Sequence, residues 1–229
     1  MCGRFTQYRH MKAYLDQLDS QASLVTQLEL EPIGRYNVPP RTRVNLIHHD
    51  EDGLRASPIL WGYQPFWAKG KRPPAINARL ETAATGRYWR GVWKRGRAVV
   101  PADGWFEWVT DETNPKQKQP YYIRYRSNEP MFFAAIGSFP RAGAEPSDED
   151  GFAIITADSD AGMVDIHDRR PVVLAPDVAR QWLESGLDPL AAEDLARHHS
   201  APVDAFEWYE VDRAVGNVRN KGPELISPL

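Results

Sequence analysis

The chain alternates short apolar runs with clusters of turn-forming residues, a pattern typical of a protein built mainly from β-strands. The runs are rich in β-branched and aromatic residues and are bounded by turn residues such as Gly, Pro, Asn, Asp and Ser, which predicts strands rather than helices. The predicted strands cover 44–48, 59–63, 97–101, 105–109, 121–125, 131–138, 152–157, 171–174 and 206–211.

Helical spacing of apolar residues is confined to a few segments. Over 9–25 the apolar side chains recur three and four residues apart, which predicts an amphipathic helix. Shorter helices are predicted at 81–93, 177–185 and 191–199. Because strands and helices do not alternate regularly, the pattern predicts an α+β fold with curved, largely antiparallel β-sheets and a few flanking helices.

The composition is that of an ordinary globular protein, with 42% hydrophobic and 26% charged residues in 229. The acidic stretch 144–150 is too short to separate two domains, so we expect residues 1–229 to form a single domain. No apolar run approaches the roughly 18 residues of a membrane span, and no signal peptide is visible. We therefore expect a cytoplasmic protein without a membrane partner, and its single cysteine cannot form an internal disulfide.

Charge is placed unevenly along the chain, although the net charge is only −3. Residues 69–97 contain nine basic residues against a single acid, Glu81. The aromatic residues within or beside that segment are Trp67, Tyr88, Trp89 and Trp93. Basic residues interleaved with aromatics are typical of a groove for single-stranded nucleic acid. A solvated helix face with its aromatics turned inward has the same pattern, so both interpretations stay open.

The only cysteine is Cys2, directly after the initiator methionine. Removal of Met1 would give this residue a free α-amine as well as a thiol, and both are nucleophiles near neutral pH. A lone cysteine is more commonly an inert, buried hydrophobe. Three features argue for a reactive residue here: a chain end is rarely core, Gly3 leaves the backbone approachable, and Arg4 adds a positive charge.

A single carboxylate lies among three aromatic residues in the segment 104–108, where Glu107 follows Trp105 and Phe106 and precedes Trp108. Desolvation by aromatic neighbours raises the pKa of a carboxylic acid, so Glu107 is a candidate acid–base group at cellular pH. A glutamate that merely points outward from a half-exposed strand is the alternative.

Two more polar residues occupy positions suited to chemistry. His167 lies in a charged segment before a predicted strand and is a candidate general acid–base group, although a structural histidine is the commoner outcome. Asn77 lies in an apolar stretch, where its amide could orient another group by hydrogen bonds. No Cys–His spacing is typical of a zinc site, so we expect no metal.

Several segments spread over the whole chain together resemble the SOS response-associated peptidase family. They are Cys2-Gly3-Arg4-Phe5, Tyr36-Asn37-Val38-Pro39-Pro40, Trp61-Gly62-Tyr63, Asn77-Ala78-Arg79, Gly104-Trp105-Phe106-Glu107-Trp108, Asp165-Ile166-His167-Asp168-Arg169-Arg170-Pro171 and Ala214-Val215-Gly216-Asn217-Val218. The resemblance implies a sensor of abasic sites in single-stranded DNA that becomes covalently attached to the lesion and shields it from strand cleavage.

The resemblance also implies roles for individual residues. Cys2 would form a Schiff base with the open-ring aldehyde and then a thiazolidine, Asn77 would position Cys2, and Glu107 and His167 would move protons and could promote reversal. The implied DNA contacts are Arg4, Asn37, Pro40, Trp67, Arg79, Arg87, Trp108 and Arg169. No cofactor is implied.

The implied partners are abasic single-stranded DNA and proteins of the replication fork, for a monomeric protein that would be nucleoid-associated in a bacterium.

Two residues depart from the family pattern: Pro39 stands where Ala is common, and Phe66 stands where a second Trp is expected, so wedging at a duplex end is less well supported than crosslinking. The family name implies autocatalytic removal of Met1, but a residue as small as Cys2 also permits removal by a methionine aminopeptidase.

Two alternatives belong to other functional classes. An N-terminal-nucleophile glutamine amidotransferase also begins Met-Cys-Gly, but the chain lacks the Asn-Gly and His-Arg-Gly segments of that family. A noncovalent single-strand-binding module would make Cys2 incidental. A denaturation-stable adduct with abasic DNA would distinguish all three.

Overall fold

A computed structural model of the protein describes residues 2–18, 31–51, 53–110, 114 and 117–229. Within these residues the chain forms thirteen strands and five α-helices. The strands are β1 (Phe5–Gln7), β2 (Arg35–Val38), β3 (Arg43–Asp50), β4 (Gly53–Trp61), β5 (Asn77–Arg79), β6 (Arg97–Ala102), β7 (Gly104–Thr110), β8 (Lys118–Tyr125), β9 (Met131–Ser138), β10 (Gly151–Asp158), β11 (Arg169–Pro171), β12 (Val173–Leu174) and β13 (Phe206–Glu210). The helices are α1 (Met11–Leu18), α2 (Leu80–Ala83), α3 (Arg90–Arg95), α4 (Pro176–Leu183) and α5 (Pro189–His198).

The strands form two sheets. The smaller sheet has the antiparallel order β13-β8-β7-β1-β2. In the larger sheet β10, β4, β3, β6 and β9 pair in turn, and β9 pairs again with β10, so that these strands close into a ring. In both sheets the pairings are antiparallel except those of β10 with β4 and with β5. The predicted α+β fold with curved, largely antiparallel sheets is confirmed.

Strand β9 shows how the sequence builds the core. Its side chains alternate between two apolar clusters, because successive residues of a strand point to opposite faces. Phe132 and Ile136 enter the cluster that packs beneath α4 and α5. Met131 and Phe133 enter the cluster that the ring shares with the smaller sheet. Both faces are covered, so β9 is continuously apolar instead of alternating between apolar and polar residues.

All nine predicted strands are present, with ends that differ by up to six residues, and 171–174 is divided between β11 and β12. Three strands were not predicted: β1, β2 and β5, each only three or four residues long. Strands this short do not contain enough residues to display alternation. All three lie close to Cys2, so the sequence pattern was least informative where the site is.

The predicted helix over 81–93 is wrong as a single element. The segment forms α2 and α3, separated by a turn around Gly86, whose N–H donates to the carbonyl oxygen of Thr82 at 2.8 Å. Between the two helices, Tyr88 and Trp89 pack on Tyr63. Of the predicted helix over 9–25, the part that the structure describes is α1; residues 19–25 lie outside the described residues. The helices predicted at 177–185 and 191–199 correspond to α4 and α5.

Among the residues described, no helix is both long enough and apolar enough to cross a membrane.

The pairing of β9 with β10, which closes the ring of strands, should make the protein sensitive to substitution of Gly137. A Cβ atom on Gly137 of β9 would lie 2.2 Å from the carbonyl oxygen of Gly151, at the start of β10. Since this contact is with backbone, Gly137→Ala must displace one strand from the other, and we expect a loss of about 1–3 kcal/mol in the free energy of unfolding. Urea denaturation measures it.

Gly91→Ala is the matched control, because a Cβ atom at that helical position meets nothing within 4 Å. Replacing a helical glycine in open space by alanine stabilises by up to about 1 kcal/mol. If Gly137→Ala and Gly91→Ala were equally stable, the close approach of β9 to β10 at Gly137 would be contradicted.

Candidate active site around Cys2

Strand β1 fixes the position of Cys2. Phe5 pairs with Trp105 in the antiparallel ladder between β1 and β7. Continued towards the start of the chain, this ladder sets Cys2 beside the segment of β7 that carries Glu107. From the neighbouring β5, Asn77 Nδ2 donates a hydrogen bond to the Cys2 carbonyl oxygen at 2.9 Å. The buried Asn77 Oδ1 has no hydrogen-bond partner among the described residues, and so remains available as an acceptor.

The Cys2 side chain is fully buried, in the same apolar cluster as Phe5 and Trp105. This corrects the expectation that a residue at the chain end lies outside the core. Burial raises the pKa of the thiol well above its usual range, and the nearby Glu107 carboxylate raises it further. In the chain that carries Met1, the thiol is therefore neutral and needs a proton acceptor to become a nucleophile.

Glu107 has the desolvated environment that its aromatic neighbours in the sequence suggest. Only 3% of the residue is exposed, and its neighbours Trp105 and Phe106 are fully buried. This desolvation raises the pKa of Glu107 to about 7, and the negative charge of Asp168 acts in the same direction. A carboxyl group with a pKa near 7 can both accept and donate a proton at neutral pH.

His167 faces Glu107 across the site. Its Nε2 atom lies 3.9 Å from Glu107 Oε2, and its Nδ1 atom accepts a hydrogen bond from the N–H of Arg169 at 2.9 Å. In the neutral ring this bond leaves the proton on Nε2, towards Glu107. Asp168 Oδ1 lies 2.7 Å from the same Nδ1 and provides a partner for the protonated ring. Burial lowers the pKa of His167, so the neutral form dominates at neutral pH.

Arg4 points away from the thiol, contrary to the expectation that its charge lies beside Cys2. Its Nη1 atom donates to Asn37 Oδ1 at 2.7 Å and to the Val215 carbonyl oxygen at 3.0 Å, and the guanidinium lies 5.8 Å from the centre of the Trp108 ring. The Arg4 and Trp108 side chains are both half-buried. They form a cation–π pair beside the site, so a ligand that meets one of them also meets the other.

Asn37 is buried, and its amide ties β2 to the C-terminal segment. Its Nδ2 atom lies within 3.2 Å of the carbonyl oxygens of Val215, Asn217 and Asn220. Since its Oδ1 atom receives Arg4, the side chain is engaged with protein on all sides. Asn37 therefore holds Arg4 in place, and its contact with DNA stays a prediction.

The basic segment contains a stack of alternating cations and aromatic rings. Arg72 lies 3.9 Å from the Tyr88 ring centre, Tyr88 meets Trp67 edge-on at 5.9 Å, and Arg87 lies 5.0 Å from the Trp67 ring centre. Both arginines are exposed, and Phe66 beside Trp67 is 82% exposed. These rings do not all turn inward, which favours the binding-groove interpretation for this part of the segment.

The two other arginines that were predicted to contact DNA, Arg79 and Arg169, differ in their exposure to solvent. Arg79, at the end of β5, is exposed and two residues from Asn77, where it can meet a phosphate. Arg169 is buried: its guanidinium makes a two-point ion pair with Glu81 at 2.9 and 3.0 Å and also reaches Asp158. The predicted phosphate contact of Arg169 is therefore corrected to a structural ion-pair role, while its N–H orients His167.

Pro40 is half-buried in the turn that follows β2, one residue beyond Pro39. Sequence reasoning missed three features of the site. Asp168 and the N–H of Arg169 fix the ring of His167, and Arg72 completes the aromatic stack. Only the proximity of Asp168 and Arg169 to His167 in the chain could have suggested the first two, and Arg72 was counted only as one of the nine basic residues of its segment.

In the part of the chain that is described, no three His, Cys, Asp or Glu residues lie close enough to hold a metal ion.

The raised pKa of Glu107 predicts how stability depends on pH. Below about pH 4.5 the carboxyl group is protonated in the folded and unfolded chains, so burial costs nothing; above about pH 7 it is ionised in both, and the full cost is present. The difference from the ordinary value of 4.5 corresponds to about 3 kcal/mol. Glu107→Gln should therefore gain stability over the parent protein as pH rises from about 4 to 8.

Urea denaturation at a series of pH values measures this gain, with Glu210→Gln as the exposed-strand control. A constant difference between Glu107→Gln and the parent at all pH values would show that Glu107 is not desolvated.

Comparison with known proteins identifies the family of this chain. The chain is 46% identical over its whole length to the abasic site processing protein YedK of Escherichia coli, and the match covers all of that protein. It is 32% identical to the abasic site processing protein YoqW of Bacillus subtilis, over 99% of each chain. The crystal structure of a phage-related protein from Bordetella bronchiseptica is 40% identical and superposes with a TM-score of 0.76, covering 93% of this chain and 95% of that one. The model of the SOS response associated peptidase (SRAP) family matches residues 1–218, and the chain belongs to that family.

Proposed function

We propose that this protein processes abasic sites in single-stranded DNA by forming a covalent bond through Cys2 after removal of Met1. The observation that carries the proposal is that Asn77 holds the main chain of Cys2 beside Glu107, whose pKa is about 7. An amine and a thiol on one residue, next to a proton acceptor, match the chemistry of an aldehyde substrate. The relatives YedK and YoqW, named abasic site processing proteins, support the same reaction class.

The covalent chemistry follows from the two nucleophiles of Cys2. The neutral α-amine adds to the C1′ aldehyde of the open abasic sugar, and loss of one water gives an imine. The thiol sulfur then adds to the imine carbon, and the thiol proton ends on the nitrogen. The result is a five-membered ring of sulfur, Cβ, Cα, nitrogen and C1′. Because no further leaving group departs, reversal needs only a proton donor and a water molecule.

Glu107 and His167 supply the proton transfers. The Glu107 carboxylate can accept a proton from the ammonium or thiol of Cys2, and its acid form can donate a proton to the departing hydroxyl group. The neutral His167 ring presents its Nε2–H towards Glu107, while Asp168 is placed to stabilise a protonated ring. Asn77 Oδ1 offers a hydrogen-bond acceptor next to the reacting residue.

The DNA-binding surface comprises Arg4 with Trp108 on one side of Cys2, Arg79 beside Asn77, and the Trp67 and Arg87 stack further along the basic segment. Phosphates meet the exposed arginines, and bases pack on the aromatic rings and on Pro40. The reacting sugar then lies at Cys2.

The first test asks whether Cys2 forms the bond. The parent protein should lack Met1 by intact mass and should give a heat-stable adduct with abasic single-stranded DNA without any reductant. Cys2→Ala keeps the α-amine and loses the thiol, so it should give only an imine that requires borohydride for trapping.

A strand with a tetrahydrofuran residue, which has no aldehyde, is the control and should give no adduct. A heat-stable Cys2→Ala adduct without borohydride would refute the thiazolidine. Strand binding without any adduct from the parent protein would indicate the noncovalent binding module instead.

The second test concerns the pH dependence of crosslinking. Because the pKa of Glu107 is raised to about 7, the fraction able to accept a proton falls as pH drops below 7, and the rate should fall with it. In Glu107→Gln this decrease of the crosslinking rate below pH 7 should vanish. Only the increase of the rate due to deprotonation of the α-amine, at about pH 7.7–8.0, should remain. We expect a rate loss of about 10²-fold at pH 7.

Single-turnover crosslinking measures the profile, after intact mass has shown that each variant lacks Met1. Glu210→Gln, an exposed glutamate on β13, should follow the parent profile. Superimposable profiles for Glu107→Gln and the parent protein would exclude Glu107 as the proton acceptor.

A further inference from the structure

A pocket next to the site has no role in the chemistry described above. It has a volume of about 480 Å³ and lies between β2, the turn that follows it, and the C-terminal segment. The residues that matter for its chemistry are Arg35, Tyr36, Asn37, Pro39, Val218 and Lys221. The lining includes two cations and no acidic residue, so the pocket attracts an anion.

Arg35 is a half-buried cation without a carboxylate partner among the described residues. Its guanidinium donates instead to two neutral acceptors, the carbonyl oxygen of Arg43 and Thr42 Oγ1. Burial of a positive charge without a counter-charge is unfavourable, and it lowers the pKa of Arg35. Lys221 at the rim is exposed and makes no ion pair with a described residue. A phosphate group would supply the missing negative charge for both.

The walls of the pocket are already fixed before any ligand arrives. Thr42 Oγ1, which holds Arg35, donates in turn to the Pro39 carbonyl oxygen at 2.8 Å. The Tyr36 ring stacks on Tyr8 at 4.8 Å, with 12° between their planes, so its orientation is set. A fixed aromatic ring and a fixed guanidinium reduce the entropy lost on binding. The pocket thus has an aromatic residue suited to a base and a cation suited to a phosphate among its lining residues.

The pocket is joined to the reaction site through Asn37. This residue lines the pocket and also receives the hydrogen bond from Arg4. Val38, the next residue of β2, pairs with Phe5 of β1, three residues from Cys2, or roughly 10 Å along an extended strand. A strand bound at Cys2 therefore passes close to the pocket.

We propose that this pocket is a subsite for a nucleotide that flanks the abasic position, with its phosphate on Arg35 and Lys221 and its base against Tyr36 and Pro39. The proposal rests on the function proposed above and extends it, because it assigns one flank of the strand to β2 and the C-terminal segment. The basic segment 69–97 then serves the other flank.

The test measures equilibrium binding of single strands that carry the tetrahydrofuran analogue, so that binding is read without crosslinking. Lys221→Gln should weaken binding several-fold and reduce the slope of log affinity against log salt by about 0.7, the value for one phosphate on a single strand. Tyr36→Leu should weaken binding by about fivefold or more through loss of base stacking. Lys12→Gln, the same charge change on α1, should bind like the parent protein.

DNA strands that end at the tetrahydrofuran analogue, and so lack the nucleotides on one side of it, locate the subsite. The effect of Lys221→Gln should disappear when one particular flank is removed and persist when the other is removed. Thermal unfolding of each variant checks that the fold is intact, and Lys221→Gln remains a valid test if Tyr36→Leu unfolds.

Three outcomes would overturn the proposal. The first is a Lys221→Gln variant that binds like Lys12→Gln, and the second is a loss that persists on both shortened strands, which would indicate a general charge effect. The third is stabilisation of the parent protein by inorganic phosphate, at constant ionic strength, as strong as that by the strand; the pocket would then bind a free anion. Crosslinking by the parent protein is measured separately, so its absence counts against the proposed function and not against the subsite.

Discussion

The pairing of three residues, Phe5–Gln7, with β7 on one side and β2 on the other is the interaction on which the site depends. A chain end is ordinarily mobile, because few contacts restrain it. Here β1 is an interior strand of the smaller sheet, and the main chain just before it is held by Asn77. Cys2 is thus positioned by hydrogen bonds to its neighbouring main chain, which do not involve its side chain. A substitution at Cys2 therefore keeps these hydrogen bonds but changes the packing of a fully buried side chain.

The electrostatics of the site follow from the same placement. Because β1 carries Cys2 into the apolar cluster between the sheets, the thiol and Glu107 are both desolvated, and both have raised pKa values. A thiol that is always ionised would be open to oxidation, whereas this one is deprotonated only when an adjacent group accepts its proton. The N–H of Arg169 donates to His167 Nδ1, so the proton of the neutral ring lies on Nε2 before substrate binds.

The sequence pattern was sufficient for the large elements, and it singled out Glu107 as a carboxyl group with a raised pKa. Long strands such as β9 can be predicted from their continuous run of apolar residues. The aromatic neighbours of Glu107 in the sequence indicated a raised pKa of its carboxyl group. The pattern failed where the determinant is distant in sequence. The burial of Cys2 depends on a strand about 100 residues away, and the ion pair of Arg169 depends on Glu81 and Asp158. Asn37, which only the family resemblance singled out, likewise has its three carbonyl partners far away in sequence, in the C-terminal segment.

The distance in sequence between β1 and β7 has a consequence for the timing of maturation. A ribosome adds about 5–20 residues per second, so roughly 5–20 seconds pass between the emergence of Phe5 and that of its partner Trp105. During this interval β1 has no neighbour on that side, and the first residues of the nascent chain are accessible to a methionine aminopeptidase. Once β7 pairs with β1, Cys2 becomes part of the core. Slow synthesis or slow folding would lengthen the period during which Cys2 lies outside the core.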